Sequence, residues 1–151
     1  MTDADPQRLA CMKALLNDIG TRLERGEIGA LEAVTLAVEA MEDEPLFNAG
    51  RGSVLDEHGR VGMDASIMRG EDGAAGAVIG LTATRHPVRA AQRLLLQGWP
   101  VMLAGPPADD FAQQHEVEQM ATSWFETDLR KAQWEKWKAQ RLRPGATDEE
   151  D

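Results

Sequence analysis

The sequence has a single cysteine, Cys11, so a disulfide framework, an Fe–S cluster or a cysteine-ligated zinc site within one chain is excluded, and a reducing compartment fits. It is also short of positive charge. Sixteen Lys and Arg against 26 Asp and Glu give a formal net charge of −10, a field that repels phosphate backbones, so nucleic acid is not an expected partner. No apolar run approaches the roughly 18–20 residues of a membrane span. The opening Met-Thr-Asp-Ala-Asp-Pro has neither a basic nor an apolar leader segment, so no membrane partner and a cytoplasmic location are expected. Repeats and low-complexity tracts are missing too. His58, His86 and His115 lack the i,i+3 or i,i+4 spacing that seats two imidazoles on one metal, and Gly50-x-Gly52 lacks the third glycine of a dinucleotide loop. What remains is 151 residues, 42% apolar, 28% charged and 5% aromatic, the profile of one globular domain.

Leu9, Met12, Leu16, Ile19 and Leu23 follow a 3-4-3-4 spacing that predicts a helix over 7–24 packing by one face. Gly26 and Gly29 separate it from a second helix that carries Leu31, Val34, Val38 and Met41 and ends near Glu42, before Pro45. A loop over 46–53 should follow. Ser53-Val54-Leu55 and 60–68 flank the turn residues Asp56-Glu57-His58-Gly59 and predict a β-hairpin. Both faces of its second arm are small or apolar, so the arm is expected to be covered on both sides. The small-residue run 74–84 predicts a buried strand, close to its neighbours because its side chains are small. His86-Pro87 opens a helix that Gly98 stops; Val101 to Ala104 forms a short strand and Ala108 to Gln114 a short helix. Thr127 caps a last helix through Leu129, Trp134, Trp137 and Arg141. The segment after Pro144 is polar, carries four acidic residues and is expected to be disordered. The element order is mixed α/β without βαβ alternation, and the helices supply only one of the two layers that doubly buried strands need.

Four groups of residues have chemistry worth weighing. Glu39, Glu42, Asp43 and Glu44 crowd a helix C-terminus, where acids oppose the dipole; they form either a solvated helix end or a cluster tolerated by a nearby hard cation. Asn48, between Phe47 and a glycine-containing loop, is either a turn asparagine or an amide that positions a nucleophile or polarises an amide carbonyl. Asp64 and Ser66 read as buried hydrogen-bond partners of a loop. Trp134 and Trp137, one helical turn apart, belong to an amphipathic helix docked on its own protein or on a partner.

Four strings in order make the combination specific: Pro45-Leu46-Phe47-Asn48-Ala49-Gly50-x-Gly52-Ser53-Val54-Leu55, Met63-Asp64-Ala65-Ser66-Ile67-Met68-x-Gly70, Ala75-Gly76-Ala77-Val78 and His86-Pro87-Val88-x-Ala90-Ala91. Together they resemble the α-subunit of the plant-type L-asparaginase/isoaspartyl peptidase family over most of the chain, from about Arg8 to Trp137. The resemblance implies an αββα sandwich of the N-terminal-nucleophile hydrolases, built from α- and β-subunits that arise by autocleavage of one precursor. Residues 1–143 would be the α-subunit portion and 144–151 an acidic tail leading towards the cleavage site.

The resemblance also implies a reaction. The threonine that opens the β-subunit attacks the side-chain amide of asparagine or the isopeptide carbonyl of a β-aspartyl dipeptide, with its own α-amino group as base. Asn48 matches the family asparagine beside that nucleophile and is the expected site residue of this chain, in a positioning role. No catalytic cofactor is implied. A structural sodium is, held by main-chain carbonyls at the positions matching Met41, Glu42, Glu44, Phe47, Ala49 and Arg51. The expected partners are the β-subunit, in an (αβ)2 assembly, and a small-molecule substrate. Two features depart from the family pattern: the opening strand with His-Gly-Gly-Ala-Gly is missing, and the one Gly-Thr pair, Gly20-Thr21, lies in the first helix. The chain is therefore not expected to be active alone. Glycosylasparaginase, a taspase-like hydrolase of the same superfamily, and a truncated non-catalytic interaction module are the alternatives.

Overall fold

A computed structural model describes residues 5–141. The expected acidic tail, 144–151, lies outside the described residues. Helix α1 (Pro6–Glu24) starts where the sequence predicts, with Asp5 Oδ1 accepting from the Gln7 N–H at 3.0 Å and Pro6 in the first turn, where its missing N–H costs nothing. Helix α2 (Ala30–Asp43) runs back beside it and stops before Pro45. Three strands form one sheet in the order β1-β2-β3: β1 (Met63–Met68) pairs antiparallel with β2 (Ala75–Leu81), and β2 pairs parallel with β3 (Met102–Ala104). Helix α3 (Pro87–Gln97) crosses from β2 to β3, closed by Gly98 in the left-handed region (φ 84°). Then come α4 (Pro106–Gln114), α5 (Thr122–Phe125) and α6 (Asp128–Arg141).

The core lies between the sheet and α3, with Ile67, Val78, Leu94, Leu95, Phe111 and Phe125 among its buried members. Gly76 makes this approach possible. A Cβ there would collide with the Ala91 carbonyl oxygen and the Leu95 nitrogen, so only glycine lets α3 lie this close to β2, as the small-residue pattern predicts.

The expected hairpin is corrected. Its turn forms, with Asp56 Oδ1 accepting from the N–H groups of His58 (2.9 Å) and Arg60 (2.8 Å), but the arms share only the bridge Leu55–Val61. The second arm finds a longer ladder against β2, in the register Ala65 to Val78 and Ile67 to Gly76, which faces those side chains towards α3. Double coverage of that arm is also corrected among the described residues. Met63 and Ile67 are buried, while Asp64, Ser66 and Met68 are exposed. Ile79 and Met102 share the open face, so α3 and α4 cover one side of the sheet and the other is bare of described residues.

Smaller differences have identifiable causes. The strand predicted over 74–84 ends at Leu81 because the N–H groups of Thr82 and Thr84 turn to Asp109, at 2.8 and 3.1 Å. Helix α4 begins at Pro106, two residues before the expected start, since neither proline of a first turn has an N–H to satisfy. Thr127 Oγ1 does accept from the Arg130 N–H, at 3.3 Å, but α6 packs through Arg130 and Trp134 while Leu129 and Trp137 stay exposed. Helix α1 has an apolar stripe yet buries no residue. No helix among the described residues is long and apolar enough to cross a membrane.

Candidate functional site

Pro45 ends α2, and the chain then folds back on the helix end. Glu44 donates its N–H to the Met41 carbonyl (3.3 Å), Phe47 to the Glu44 carbonyl (3.1 Å) and Arg51 to the Glu42 carbonyl (2.7 Å). Gly50 (φ 47°) and Gly52 (φ 102°) are in the left-handed region and lie against other backbone: a Cβ on Gly50 would strike the Glu42 carbonyl, and one on Gly52 would lie 2.6 Å from the Pro45 oxygen and 2.9 Å from the Phe47 oxygen. The Gly-x-Gly thus closes a tight carbonyl-rich loop, and no nucleotide motif is involved. The far side of the loop is tied to α5 and α6. Gly52 donates to the Phe125 carbonyl (2.9 Å), and the Gly52 carbonyl accepts from Arg130 Nε. Arg130 is 7% exposed, and burial holds its guanidinium below the usual arginine range, with the Arg8 charge pushing the same way.

Within this loop Asn48 is exposed, and its Oδ1 accepts from the Val54 N–H at 2.8 Å. The oxygen is thereby committed to the loop. Its amide nitrogen, with two N–H donors, bonds to none of the described residues. Asn48 lines a cavity of about 340 Å³ together with Glu42, Ser53, Asp64, Ser66 and Val88. Asp64 and Ser66 are not the buried pair the sequence suggested. Asp64 is exposed and its Oδ1 accepts from the Gly80 N–H at 2.8 Å, filling the gap where the β1–β2 register shifts between Met63 and Ala65.

Beside the cavity, Glu42 is 2% exposed; Oε1 accepts from the Val88 N–H at 3.0 Å and Oε2 has no partner among the described residues. Burial pushes the Glu42 carboxyl up to about 8, the Val88 hydrogen bond opposing and the charges of Glu39 and Asp43 adding to it. Two other carboxylates of the acidic helix end, Glu39 and Asp43, meet arginines of this chain, while Glu44 Oε1 accepts from the Leu46 N–H at 3.3 Å. Asp43 takes a two-point contact from Arg85 (3.0 and 3.2 Å) and one from His86 Nε2 (3.0 Å); Glu39 and Glu32 meet Arg89 at 2.8 and 3.1 Å. Burial alone would raise Asp43, but the bonds from Arg85 and His86 outweigh it and hold the carboxyl below the usual carboxylate range. The start of α3 therefore supplies the positive charge that the acidic cluster lacks in sequence.

The structure brings together Asn48, Gly50, Gly52, Ser53, Asp64 and Ser66, and the carbonyl-bearing positions Met41, Glu42, Glu44, Phe47, Ala49 and Arg51 lie in the same helix end and loop. Trp137 stays apart, beside Trp134 and Val54 in a separate groove. Sequence reasoning missed three contributors. Arg130 lies in the last helix with no local signal to single it out, and Trp124 and Phe125 lie in a segment too short for periodicity. Yet the Trp124 ring is within cation–π range of the guanidiniums of Arg51 (5.7 Å) and Arg85 (5.3 Å), and Phe125 is fully buried under the loop. The adjacent Trp-Phe pair was the available signal.

The family profile described as Asparaginase matches residues 3–150. Among curated relatives, the plant-type L-asparaginase of Thermococcus kodakarensis is 41% identical over 125 residues, covering 83% of this chain and 39% of that protein. The isoaspartyl peptidase of Escherichia coli K12 is 38% identical over 122 residues (81% of this chain, 38% of the relative). A probable isoaspartyl peptidase/L-asparaginase 2 of Arabidopsis thaliana is 38% identical over 111 residues, 74% of this chain and 34% of the relative. The chain thus spans between 34% and 39% of the length of these relatives, all named as hydrolases. With nearly its whole length matched by the profile and a mixed α/β fold around the Asn48 loop, the chain belongs to the Asparaginase family.

Proposed function

We propose that this chain is the α-subunit portion of an enzyme that hydrolyses the side-chain amide of asparagine or the isoaspartyl bond of β-aspartyl dipeptides. The observation that carries the reading is Asn48: its oxygen is clamped by Val54, its donors have no partner among the described residues, and it borders a cavity at the edge of the open sheet face. The relatives named L-asparaginase and isoaspartyl peptidase support the choice of reaction.

In this reading a threonine at the start of a partner β-subunit supplies the nucleophile. Its hydroxyl oxygen bonds to the substrate carbonyl carbon as its proton passes to the α-amino group; the C–N bond breaks and ammonia or the peptide amine leaves with a proton. Water then hydrolyses the ester and releases aspartate. Asn48 positions the reacting group with its free N–H donors, which need no reorganisation because the side chain is already fixed. The bare sheet face with Met68, Ile79 and Met102 supports a β-subunit as the second layer, and an (αβ)2 assembly is part of the same proposal.

A structural sodium fits the loop. Met41, Glu42 and Glu44 each offer a carbonyl that accepts one hydrogen bond and keeps a second lone pair, and the two glycines let the backbone close tightly on the Glu42, Pro45 and Phe47 carbonyls, gathering carbonyl oxygens in one turn. The carbonyls of Met41, Glu42, Glu44, Phe47, Ala49 and Arg51 would hold the ion, which would stiffen the loop without entering the reaction.

Purifying the chain with its partner polypeptide tests the proposal. Aspartate release from β-aspartyl dipeptides, ammonia release from asparagine and a partner chain beginning with threonine are expected. Asn48→Ala should lower turnover by about 10²-fold, the scale of one lost positioned donor, with assembly intact. Unchanged turnover in that variant removes Asn48 from the site.

A further inference from the structure

We propose that the Glu42 side chain is a positioning residue for Asn48, acting through a staple between the first turn of α3 and the loop 44–54; the functional sense of this rests on the role of Asn48 proposed above. The first N–H groups of a helix have no partner within it. In α3 the first residue, Pro87, has no N–H, and the preceding His86 makes no side-chain cap, so the Val88 N–H is the first donor in need of an acceptor. Glu42 Oε1 supplies it from another helix, 46 residues away in sequence, at 3.0 Å.

The same residue holds the loop by its backbone. Its carbonyl accepts from the Arg51 N–H at 2.7 Å, and Gly50 lies directly on its carbonyl and Cβ. Gly50 and Arg51 lie between Asn48 and Val54, whose N–H bonds to Asn48 Oδ1, so displacing Glu42 shifts the frame in which the amide is held. Glu42 is among the residues lining the cavity beside Asn48, and its buried Oε2 has no partner among the described residues. A residue serving only to fill the core would not carry a carboxyl there, because a buried polar atom without a partner forfeits its hydration.

The test compares Glu42→Gln with Glu42→Met in the full chain as purified, by amide hydrogen exchange and by the NMR signals of the Asn48 side-chain amide. Gln keeps a carbonyl where Oε1 stands; Met matches the length of the side chain but cannot accept. We expect the Gln variant to keep Val88 and Val54 N–H protection within about 2-fold of the parent and to leave the Asn48 amide signals in place, while the Met variant exchanges at both positions at least ~10-fold faster and shifts those signals. If Met and Gln behave alike, or if Met exposes Val88 but leaves Val54 and Asn48 unchanged, the proposal is overturned, the second outcome reducing Glu42 to a remote cap. Should the Met variant fail to fold, the Gln variant decides: loss of Asn48 signals there, with Val88 still protected, overturns it equally. None of these readouts needs catalysis. An inactive parent enzyme would reject the functional reading and leave the staple to be judged on the exchange data.

Discussion

Helices α1 and α3 both carry an apolar stripe in sequence, and the structure treats them differently. Of the 11 residues of α3, Pro87, Val88, Ala90, Ala91, Gln92, Leu94 and Leu95 are buried; of the 19 of α1, none is. Leu94 is 0% exposed while Leu16 is 72% exposed. The cause lies beneath each helix. Helix α3 rests on a sheet with a glycine at the contact, whereas α1, among the described residues, packs mainly against α2, and the two share an open apolar groove lined by Met12, Leu16, Ile19, Leu23 and Val34. Fully burying a leucine gains about 1.5–3 kcal/mol, so the stripe of α3 contributes to stability and that of α1 contributes little within the described residues. Amphipathicity states that a face is to be covered; it does not state by what.

The contrast can be broken at its strongest point by Gly76→Val. Its branched side chain would meet α3 backbone, and we expect loss of the cooperative thermal transition followed by circular dichroism. Leu94→Ala comes next, with an expected loss of about 2–5 kcal/mol in urea unfolding, against about 0.5 kcal/mol or less for Leu16→Ala. Equal losses would erase the distinction drawn between the helices. A milder probe is Leu16→Glu: unfolding should stay nearly unchanged for the chain alone, while sedimentation shows less self-association if the groove is what makes the chain sticky. The smallest effect concerns the turn that joins the two strands beneath α3. There the Arg69 hydrogen bonds hold Asp72 down to about 2, below its ordinary 3.8, with the Ala74 N–H assisting. A lowered folded-state value stabilises the fold above the ordinary pKa and is lost as the pH falls towards 2, so Asp72→Asn should flatten stability between about pH 4 and 2 and leave its pH dependence near neutrality unaltered.

How far the sequence could be read depended on the range of the interactions. Pro87, Gly98, Gly26 and Asp5 act on neighbours within a few residues, and the helices they bound are where the pattern places them. The hairpin after Ser53 failed for the opposite reason: a sound local turn at Asp56 competes with a longer ladder from β2, which periodicity in one segment cannot reveal. Asp64 was placed on the correct strand but given the wrong surroundings, since its exposure depends on a sheet face that no described residue covers. At the site, the loop from Pro45 to Leu55 and the prominence of Asn48 were legible because glycines, proline and asparagine punctuate it. The acidic helix end was legible only as a question, because Arg85, His86 and Arg89 lie more than 40 residues further along the chain.

The sequence by itself determined the boundaries of α1, α2 and α3, the mixed α/β class, the tight Gly50-x-Gly52 loop and the motifs that mark the family, since each depends on local backbone preference or on a short string of residues. Tertiary structure alone decided that α3 and not α1 is buried, that Asp43 and Glu39 at the acidic end of α2 meet Arg85 and Arg89, and that Glu42, Arg130 and Phe125 converge on the loop that holds Asn48. Those outcomes depend on which faces meet across long stretches of chain. The physical determinant is burial: it strips water from a carboxylate, a guanidinium or a leucine, and only the assembled packing specifies which of them lose it.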